Sequence, residues 1–572
     1  MERVIGSGRE GVTGNQALAL EVIEAAWRAG VRTFCLCPGG RNAPLVEALE
    51  PLRAGGAEVI DFFEERSAAF FALGRARRDR RPVAVLTTSG TAAAELTPAM
   101  VEAYYQAAPL LAITADRPAA FRGTGAPQSI EQAYLFGVYS RQAVDLEQPG
   151  SGWAIDSCCW PVHVNACFGE PLLDGWQAGA TAITDGVGEQ PEQPPGPAAG
   201  LRRDRHVEDA LATAVASMTR PLVILGGLWR DADRDAAASY CRRLAAPVLA
   251  EASSHLRHRL AGLSLRGGEG VAASGLRRGW FDGIIRIGDI PSFRLWRDLE
   301  TLTDLPVVSV SRVPWRGLTH GLHRSIGAAL PLPVDALVPS VVFPASTLDE
   351  VRAEDACAVA ARDRRLRRYP LSEPALMRQL SETIPAGSFV YLGNSLPIRE
   401  WNQFASLEDR VFEYGENRGA NGIDGQLSTF LGWAKPGQEN WAIVGDLTAL
   451  YDLPAPWALP SAAGPVRIVV VNNGGGRIFR RMYRNPRYQL DHAVAFDLWA
   501  RMWGAAYTTD AREVGRHDAG SPGGPGGQGG AEGPPYEDDR DHVVVEIRPD
   551  EAETDAFWRD AAEPPPAAEG SS

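Results

Sequence analysis

Lysine is almost missing from this 572-residue chain. Lys435 is the only one, and the rest of its 57 basic residues are arginine. Schiff-base chemistry and a Walker-type phosphate loop both require a lysine, so neither has a candidate. Positive charge is also in deficit: the net charge of −14 excludes a nucleic-acid surface and binding to anionic lipid. Cysteine is sparse, at seven residues with no C-x-x-C pair. An odd count without that spacing reads as reduced thiols and not as a disulfide framework. Long apolar runs are lacking too. The opening MERVIGSGREGVTG has no apolar signal core, and no segment is long enough to span a bilayer. The expectation is a soluble cytoplasmic protein. What is present is ordinary for a globular chain, 45% hydrophobic and 22% charged, and the length calls for two to four domains.

Strand and helix patterns alternate. Residues 15–29 have helical spacing, closed by Gly30. Apolar runs in VRTFCLCPGG, EVIDFF, PVAVLTTSG and LLAITADRP read as strands, with helices in EERSAAFFALGRAR and 91–106. A proline-rich stretch, 189–200, reads as a linker, and RPLVILGG, GIIRIGD and LPVVSVSR begin a second α/β region. Residues 326–370 are poorly patterned and read as a connection. A third α/β region starts at GSFVYLGNS and contains WAIVGD, VRIVVVNNGGG and HVVVEIRP, interrupted by a Gly-rich segment, 519–541, that reads as disordered. The fold class is therefore α/β with parallel sheets.

Two of these strands end in oxygen-bearing side chains, WAIVGD at Asp446 and IVVVNN at Asn472 and Asn473. Ligands of parallel sheets sit beyond the carboxyl ends of the strands. If the two strands are neighbours, a carboxylate, an amide oxygen and a free carbonyl emerge side by side, a hard-oxygen set that suits Mg²⁺. Glycines 474–476 let the backbone approach a phosphate. Taken singly, Asp446 reads equally as a helix cap and the asparagines as a turn; the paired spacing favours the ion.

This pair resembles the signature of thiamine diphosphate enzymes. The resemblance implies thiamine diphosphate with Mg²⁺ or Mn²⁺ held by Asp446, Asn473 and the carbonyl of Gly475, with Gly445 and Leu447 beside the cofactor. It also implies three domains: pyrimidine-binding (1–188), middle (201–345) and diphosphate-binding (370–560). A glutamate must promote the imino form of the cofactor's aminopyrimidine ring. FFEERSAAFF offers Glu64 and Glu65 at a helix start, where either could simply answer the helix dipole. The family's Glu-Arg-Ser ending selects Glu65 as the catalytic carboxylate. Ser89 and Gly90, and further on Ile423 and Ile478, complete the implied cofactor contacts.

The motifs CPGGRNAPL, EERSAAFFALG, TTSGTAAAEL, TADRP, GNSLPIR, NRGANGIDG and GDLTALYDL occur in this order. Together they resemble the 2-succinyl-5-enolpyruvyl-6-hydroxy-3-cyclohexene-1-carboxylate (SEPHCHC) synthases of menaquinone biosynthesis. Those enzymes decarboxylate 2-oxoglutarate and add the resulting carbanion to isochorismate. Both substrates are dicarboxylates, which suit arginine's planar fork. The resemblance implies substrate contacts from Arg41, Arg117, Gln128, Arg294, Ser395, Arg399 and Arg418, with Ile478 and Phe479 as an apolar wall. It also implies a homodimer or dimer of dimers, with the active site between pyrimidine and diphosphate domains of different subunits.

The chain departs from the family pattern in places. Gly40 stands where the family has serine, Arg294 where it has lysine, and the connection 147–162 is short enough for a helix to be trimmed. His255, His258, His320 and His323 read as surface residues and not as zinc ligands. Cys35 and Cys37 read as buried packing, and ILGGLW lacks the glycines of a dinucleotide site. Two other readings remain: a thiamine diphosphate 2-oxoacid decarboxylase or acetohydroxyacid-type synthase, and a non-catalytic cofactor binder.

Overall fold

A computed structural model describes residues 14–177, 213–319, 322–327, 343–406, 410–483, 485–514 and 539–562. Each apolar run read as a strand forms one, and all pair in parallel. β1 (Thr33–Leu36), β2 (Glu58–Asp61), β3 (Val83–Thr87), β4 (Leu110–Asp116), β5 (Gln142–Leu146) and β6 (Val162–Cys167) make a sheet of order β2-β1-β3-β4-β6-β5. β7 (Pro221–Leu225), β8 (Val248–Ala250), β9 (Gly283–Ile287), β10 (Val307–Ser311) and β11 (His323–Gly327) form a second, ordered β11-β10-β9-β7-β8. β12 (Phe389–Leu392), β13 (Glu413–Gly415), β14 (Asn440–Gly445), β15 (Val466–Val471), β16 (Ala505–Thr508) and β17 (Asp539–Ile547) form the third, ordered β13-β12-β14-β15-β17-β16. Central strands such as β3, β4 and β15 are buried along their whole length. That is the environment that permits continuous Val/Ile/Leu runs in place of alternation.

The chain divides into two compact units. The first comprises residues 1–201 together with 417–435 and 451–463; the second comprises 202–416, 436–450 and 464–572. The first unit therefore takes two segments from the sequence of the third α/β region. One of them is the helix Gln426–Trp433, which lies against the helix Glu65–Asp79.

Several expectations are corrected. The stretch 326–370 contains a helix, Ala345–Arg368. Only Val351, Arg362 and Leu366 of it are buried, too thin an apolar stripe to register against so many charges. His323 lies buried in β11, its Nε2 2.7 Å from Ser309 Oγ, and His255 Nε2 accepts the amide of Tyr414 at 3.0 Å. Neither is a surface residue, because each satisfies a buried polar neighbour. The helix expected over 91–106 is two, Thr91–Ala94 and Thr97–Gln106, the second with proline in its first turn. Asp539–Asp541 belong to β17 and not to a Gly-rich insert. The linker 189–200 and residues 519–538 lie outside the described residues. Between Glu147 and Pro161 the chain makes turns without a helix.

Candidate active site

β14 and β15 are adjacent, in register from Asn440↔Val466 to Gly445↔Val471. Asp446 and Asn473 therefore leave neighbouring strand tips, as their spacing predicts. The Asp446 carboxylate organises the turn beyond β15: Oδ2 accepts the amides of Gly474 at 2.8 Å and Gly475 at 2.9 Å, and Oδ1 accepts that of Leu447 at 2.6 Å. His492 Nε2 lies 3.3 Å from Oδ2. Burial pushes the Asp446 carboxyl up from its ordinary value, and the backbone amides oppose that. Gly475 has φ +138°, and a side chain there would meet the Gln489 carbonyl at 2.4 Å. Only glycine fits this position.

Asn473 has a divided side chain. Its Nδ2 donates to both oxygens of buried Glu373, at 3.1 and 3.0 Å, while its Oδ1 is buried with no hydrogen-bond partner among the described residues. A buried acceptor without a donor calls for an explanation. In the same turn, which Asp446 holds by its amides, the Gly475 carbonyl accepts the Arg477 amide at 2.8 Å and keeps a second lone pair. Ile478 and Phe479 follow in a 3₁₀ turn, Arg477–Phe479, with Phe479 partly exposed next to Tyr483 and Tyr488.

Ser395 marks the end of the strand-to-helix turn after β12, with φ +77°. A non-glycine residue in this region stores strain, of a kind that clusters at functional sites. Arg399, one turn into the helix Leu396–Phe404, donates to the Ser395 carbonyl. Glu269 links this helix to Arg294: its oxygens accept Gln403 Nε2 at 3.1 Å and the Leu295 amide at 2.8 Å, and burial raises its carboxyl above the ordinary value, opposed by the Leu295 amide and by Arg399. Arg294 itself is exposed and pairs with Asp298 at 3.4 Å. In the second unit, then, Asp446, Asn473 and Gly475 form one constellation, and Ser395, Arg399 and Arg294 another.

The first unit holds the remaining predicted residues. Glu64 caps the helix Glu65–Asp79 by accepting the Ser67 amide at 2.8 Å, which leaves Glu65 without a capping role. Glu65 is half-buried, and burial, with Glu64 and Glu95 nearby, raises its carboxyl above the ordinary value. Ser89 and Gly90 form the turn after β3. The Gly90 amide donates to Gln132 Oε1 at 3.1 Å, and a Cβ on Gly90 would sit 3.2 Å from Gln128 Cα. Gln132 is itself locked, donating to the Ala115 carbonyl at 2.9 Å and Asn165 Oδ1 at 2.8 Å. Arg117 Nε donates to the Pro127 carbonyl at 3.0 Å, so Arg117, Gln128 and Gly90 are brought together.

Arg41 is buried next to this turn. Its amide donates to Thr88 Oγ1 at 3.2 Å, and its guanidinium engages the Phe168 carbonyl and Glu170, each at 2.9 Å. Gly40 has open space where a Cβ would stand. Arg418 and Ile423 lie in the segment 417–435. Glu102 clamps that loop by accepting the amides of Gly419 at 2.7 Å and Ala420 at 2.6 Å.

Sequence reasoning missed Gln132, Glu102, Glu269, Glu373 and His492. A buried glutamate on an otherwise apolar helix face, as at Glu102, is a readable signal. Glu373, second in a Ser-Glu-Pro helix start, looks like an ordinary capping acid.

Residues 17–135 match the family described as the thiamine pyrophosphate enzyme, N-terminal TPP binding domain. A SEPHCHC synthase from Bdellovibrio bacteriovorus is 39% identical over 560 residues, covering 96% of this chain and 98% of that protein. The chain belongs to the SEPHCHC synthase family. Relatives of the same name from Akkermansia muciniphila (39% identical, covering 84% of this chain and 89% of the relative) and Geobacillus kaustophilus (32%, covering 81% and 83%) agree. Membership makes the chain a thiamine diphosphate-dependent enzyme, and its three parallel sheets are those of an α/β protein of that type. Among the described residues no helix is long and apolar enough to cross a membrane, and no cluster of three His, Cys, Asp or Glu side chains could hold an ion. An ion at the β14–β15 tips would instead be held by the mixed oxygen set, for which the unpartnered Asn473 Oδ1 is suited.

Proposed function

We propose that the chain is the carboligase its relatives are named for. 2-Oxoglutarate loses CO₂, and the remaining four-carbon unit is joined by 1,4-addition to isochorismate, giving SEPHCHC on the route to menaquinone in the cytoplasm. The observation that carries this reading is the paired tip of β14 and β15, which bears Asp446 and an Asn473 whose buried Oδ1 lacks a partner among the described residues, with the Gly475 amide on Asp446. Asp446, Asn473 and the Gly475 carbonyl would hold Mg²⁺ or Mn²⁺, and the glycines after Asn473 would admit a diphosphate. Gly445 and Leu447 flank the same cradle. When bound, thiamine diphosphate supplies the electron sink that takes up the charge left by decarboxylation.

The chain's own residues then bind, orient and move protons. Glu65 retains its proton more readily than an ordinary glutamate, so it can donate a hydrogen bond to a ring nitrogen and favour the basic tautomer. Ser89, Gly90 and Ile423 would support the cofactor's pyrimidine end. Arg41, Arg117, Gln128, Arg294, Ser395, Arg399 and Arg418 would receive the substrates' carboxylates. Ile478 and Phe479 exclude water from the reacting carbons. The substrates themselves are supported by the relatives' names and by this supply of guanidinium groups in a chain of net negative charge.

The test mixes protein, Mg²⁺, thiamine diphosphate, 2-oxoglutarate and isochorismate and follows CO₂ release and isochorismate loss. Isochorismate should be consumed, and Glu65→Gln should abolish its consumption. Rapid CO₂ release without isochorismate would instead identify a decarboxylase, and cofactor binding without turnover a binder.

A further inference from the structure

The orientation of Asn473 is not set by its own strand. An asparagine amide presents either oxygen or nitrogen after a half-turn about its last torsion, and the two ends have opposite polarity. Here the choice is fixed by Glu373. Both of its oxygens accept from Asn473 Nδ2, at 3.1 and 3.0 Å. The amide nitrogen is thereby tied to Glu373, and Oδ1 is the end left buried and without a partner among the described residues. Glu373 is 3% exposed and sits at the start of the helix Glu373–Thr383, 100 residues away in sequence.

Glu373 is itself held from behind. Glu400, on the helix that begins after Ser395, is equally buried; burial and the neighbouring Glu373 raise its carboxyl well above the ordinary value, so Glu400 keeps the proton and faces Glu373 as the donor. Arg481 supplies the compensating positive charge, its guanidinium stacked 3.7 Å above the Trp558 ring. Two buried carboxyl groups at the back of a strand tip are costly unless an arrangement depends on them. Helix capping does not account for them, because the Glu373 oxygens are directed to Asn473.

We propose that Glu373 is a positioning residue that locks the Asn473 amide with its oxygen presented as a ligand to the divalent cation, and that Glu400 and Arg481 hold Glu373 in place. This rests on the reading of Asn473 as a metal ligand. Removing Glu373 frees the amide to turn and offer a donor where the ion requires an acceptor. Support of this kind behind a metal ligand is typically worth about 10–100-fold in metal affinity.

The experiment measures Mn²⁺ binding to the full chain by electron paramagnetic resonance of the free ion, at saturating thiamine diphosphate. It compares wild type, Glu373→Ala, Glu373→Gln, Asn473→Ala and the Glu373→Ala/Asn473→Ala double variant, with circular dichroism as a check of folding. Glu373→Ala should weaken Mn²⁺ by about 10–100-fold. Glu373→Gln, which keeps the volume but offers one acceptor in place of two, should weaken it by about tenfold and decides the matter if the alanine variant fails to fold. The double variant should bind no more weakly than Asn473→Ala alone, since Glu373 acts through Asn473. Wild-type affinity in the folded Glu373 variants, with a loss in Asn473→Ala, overturns the inference and leaves the metal reading standing. Additive losses in the double variant also overturn it. Unchanged affinity in Asn473→Ala removes the metal reading, and this inference with it.

Discussion

His163 illustrates what a single buried side chain can do to this protein. It is fully buried in β6, with Nε2 2.8 Å from Thr114 Oγ1. Thr114 spends its own hydrogen on Asn165 Oδ1, 2.9 Å away, so His163 Nε2 must be the donor and Nδ1 is bare. Burial pushes the imidazole down from 6.5 to about 3, against the weaker upward pull of Asp145. The unfolded chain therefore binds a proton that the folded chain refuses. The contribution to stability is complete above about pH 6.5 and is lost as pH falls toward 3, at up to about 1.4 kcal/mol per pH unit. Denaturant midpoints measured between about pH 6.5 and 5, above most carboxylate titration, should fall in the wild type and much less in His163→Gln. Equal slopes in the two proteins would refute the assignment. At this scale the sequence disclosed residues that stand within short motifs, such as Asp446 with Asn473, or Glu65 beside Arg66 and Ser67. It hid those defined by a distant partner. Glu102 meets Gly419 across 317 positions, and Gln132 meets Gly90 across 42, and no local pattern encodes either pairing.

Helices in the first unit pack closely enough for two backbones to touch. A Cβ on Gly74 would lie 2.0 Å from the Thr429 carbonyl oxygen, and one on Gly432 would lie 2.0 Å from that of Phe71. Alanine for glycine inside a helix ordinarily stabilises by about 1 kcal/mol. Here the obstacle is a main-chain carbonyl, which cannot rotate away, so Gly74→Ala should instead destabilise by about 1–3 kcal/mol. Thermal unfolding reads the sign directly, and a rise in Tm would show that the helices can separate at little cost. Neither glycine advertises this use in sequence, where each looks like a weak point in a helix. Strands were the more legible elements. Fully buried parallel strands must be continuous apolar runs, and every such run read from the sequence lies in a sheet. The helix Ala345–Arg368 was illegible for the opposite reason, since three buried positions in 24 leave almost no periodic stripe.

For the whole molecule, α/β alternation made the three parallel sheets legible in advance, but composition carries no trace of the two segments that leave the third α/β region for the first unit. Large apolar side chains stay exposed on both units: Phe63, Tyr451 and Trp457 on the first, and Tyr483, Tyr488 and Leu490 on the second. Together with the family's expected assembly, they lead us to anticipate self-association. Gel filtration with light scattering should give at least twice the mass of one chain, and an active species of single-chain mass would refute that. Arginine's near-monopoly also has a structural use here. Arg75, Arg78 and Arg467 donate to the main-chain carbonyls of Ser461, Ala434 and Asp541, and a rigid fork does this with less loss of freedom than an ammonium.

The glycine seam between the helices Glu65–Asp79 and Gln426–Trp433 constrains how the polypeptide is made. The earlier helix leaves the ribosome hundreds of residues ahead of its partner, and at about 5–20 residues per second the delay is roughly 20–70 s. Throughout that interval the nascent amino-terminal portion carries an uncovered face. Its maturation cannot proceed strictly in the order of translation, and cleaving the gene into separate sheet-sized pieces would strand that face without its cover.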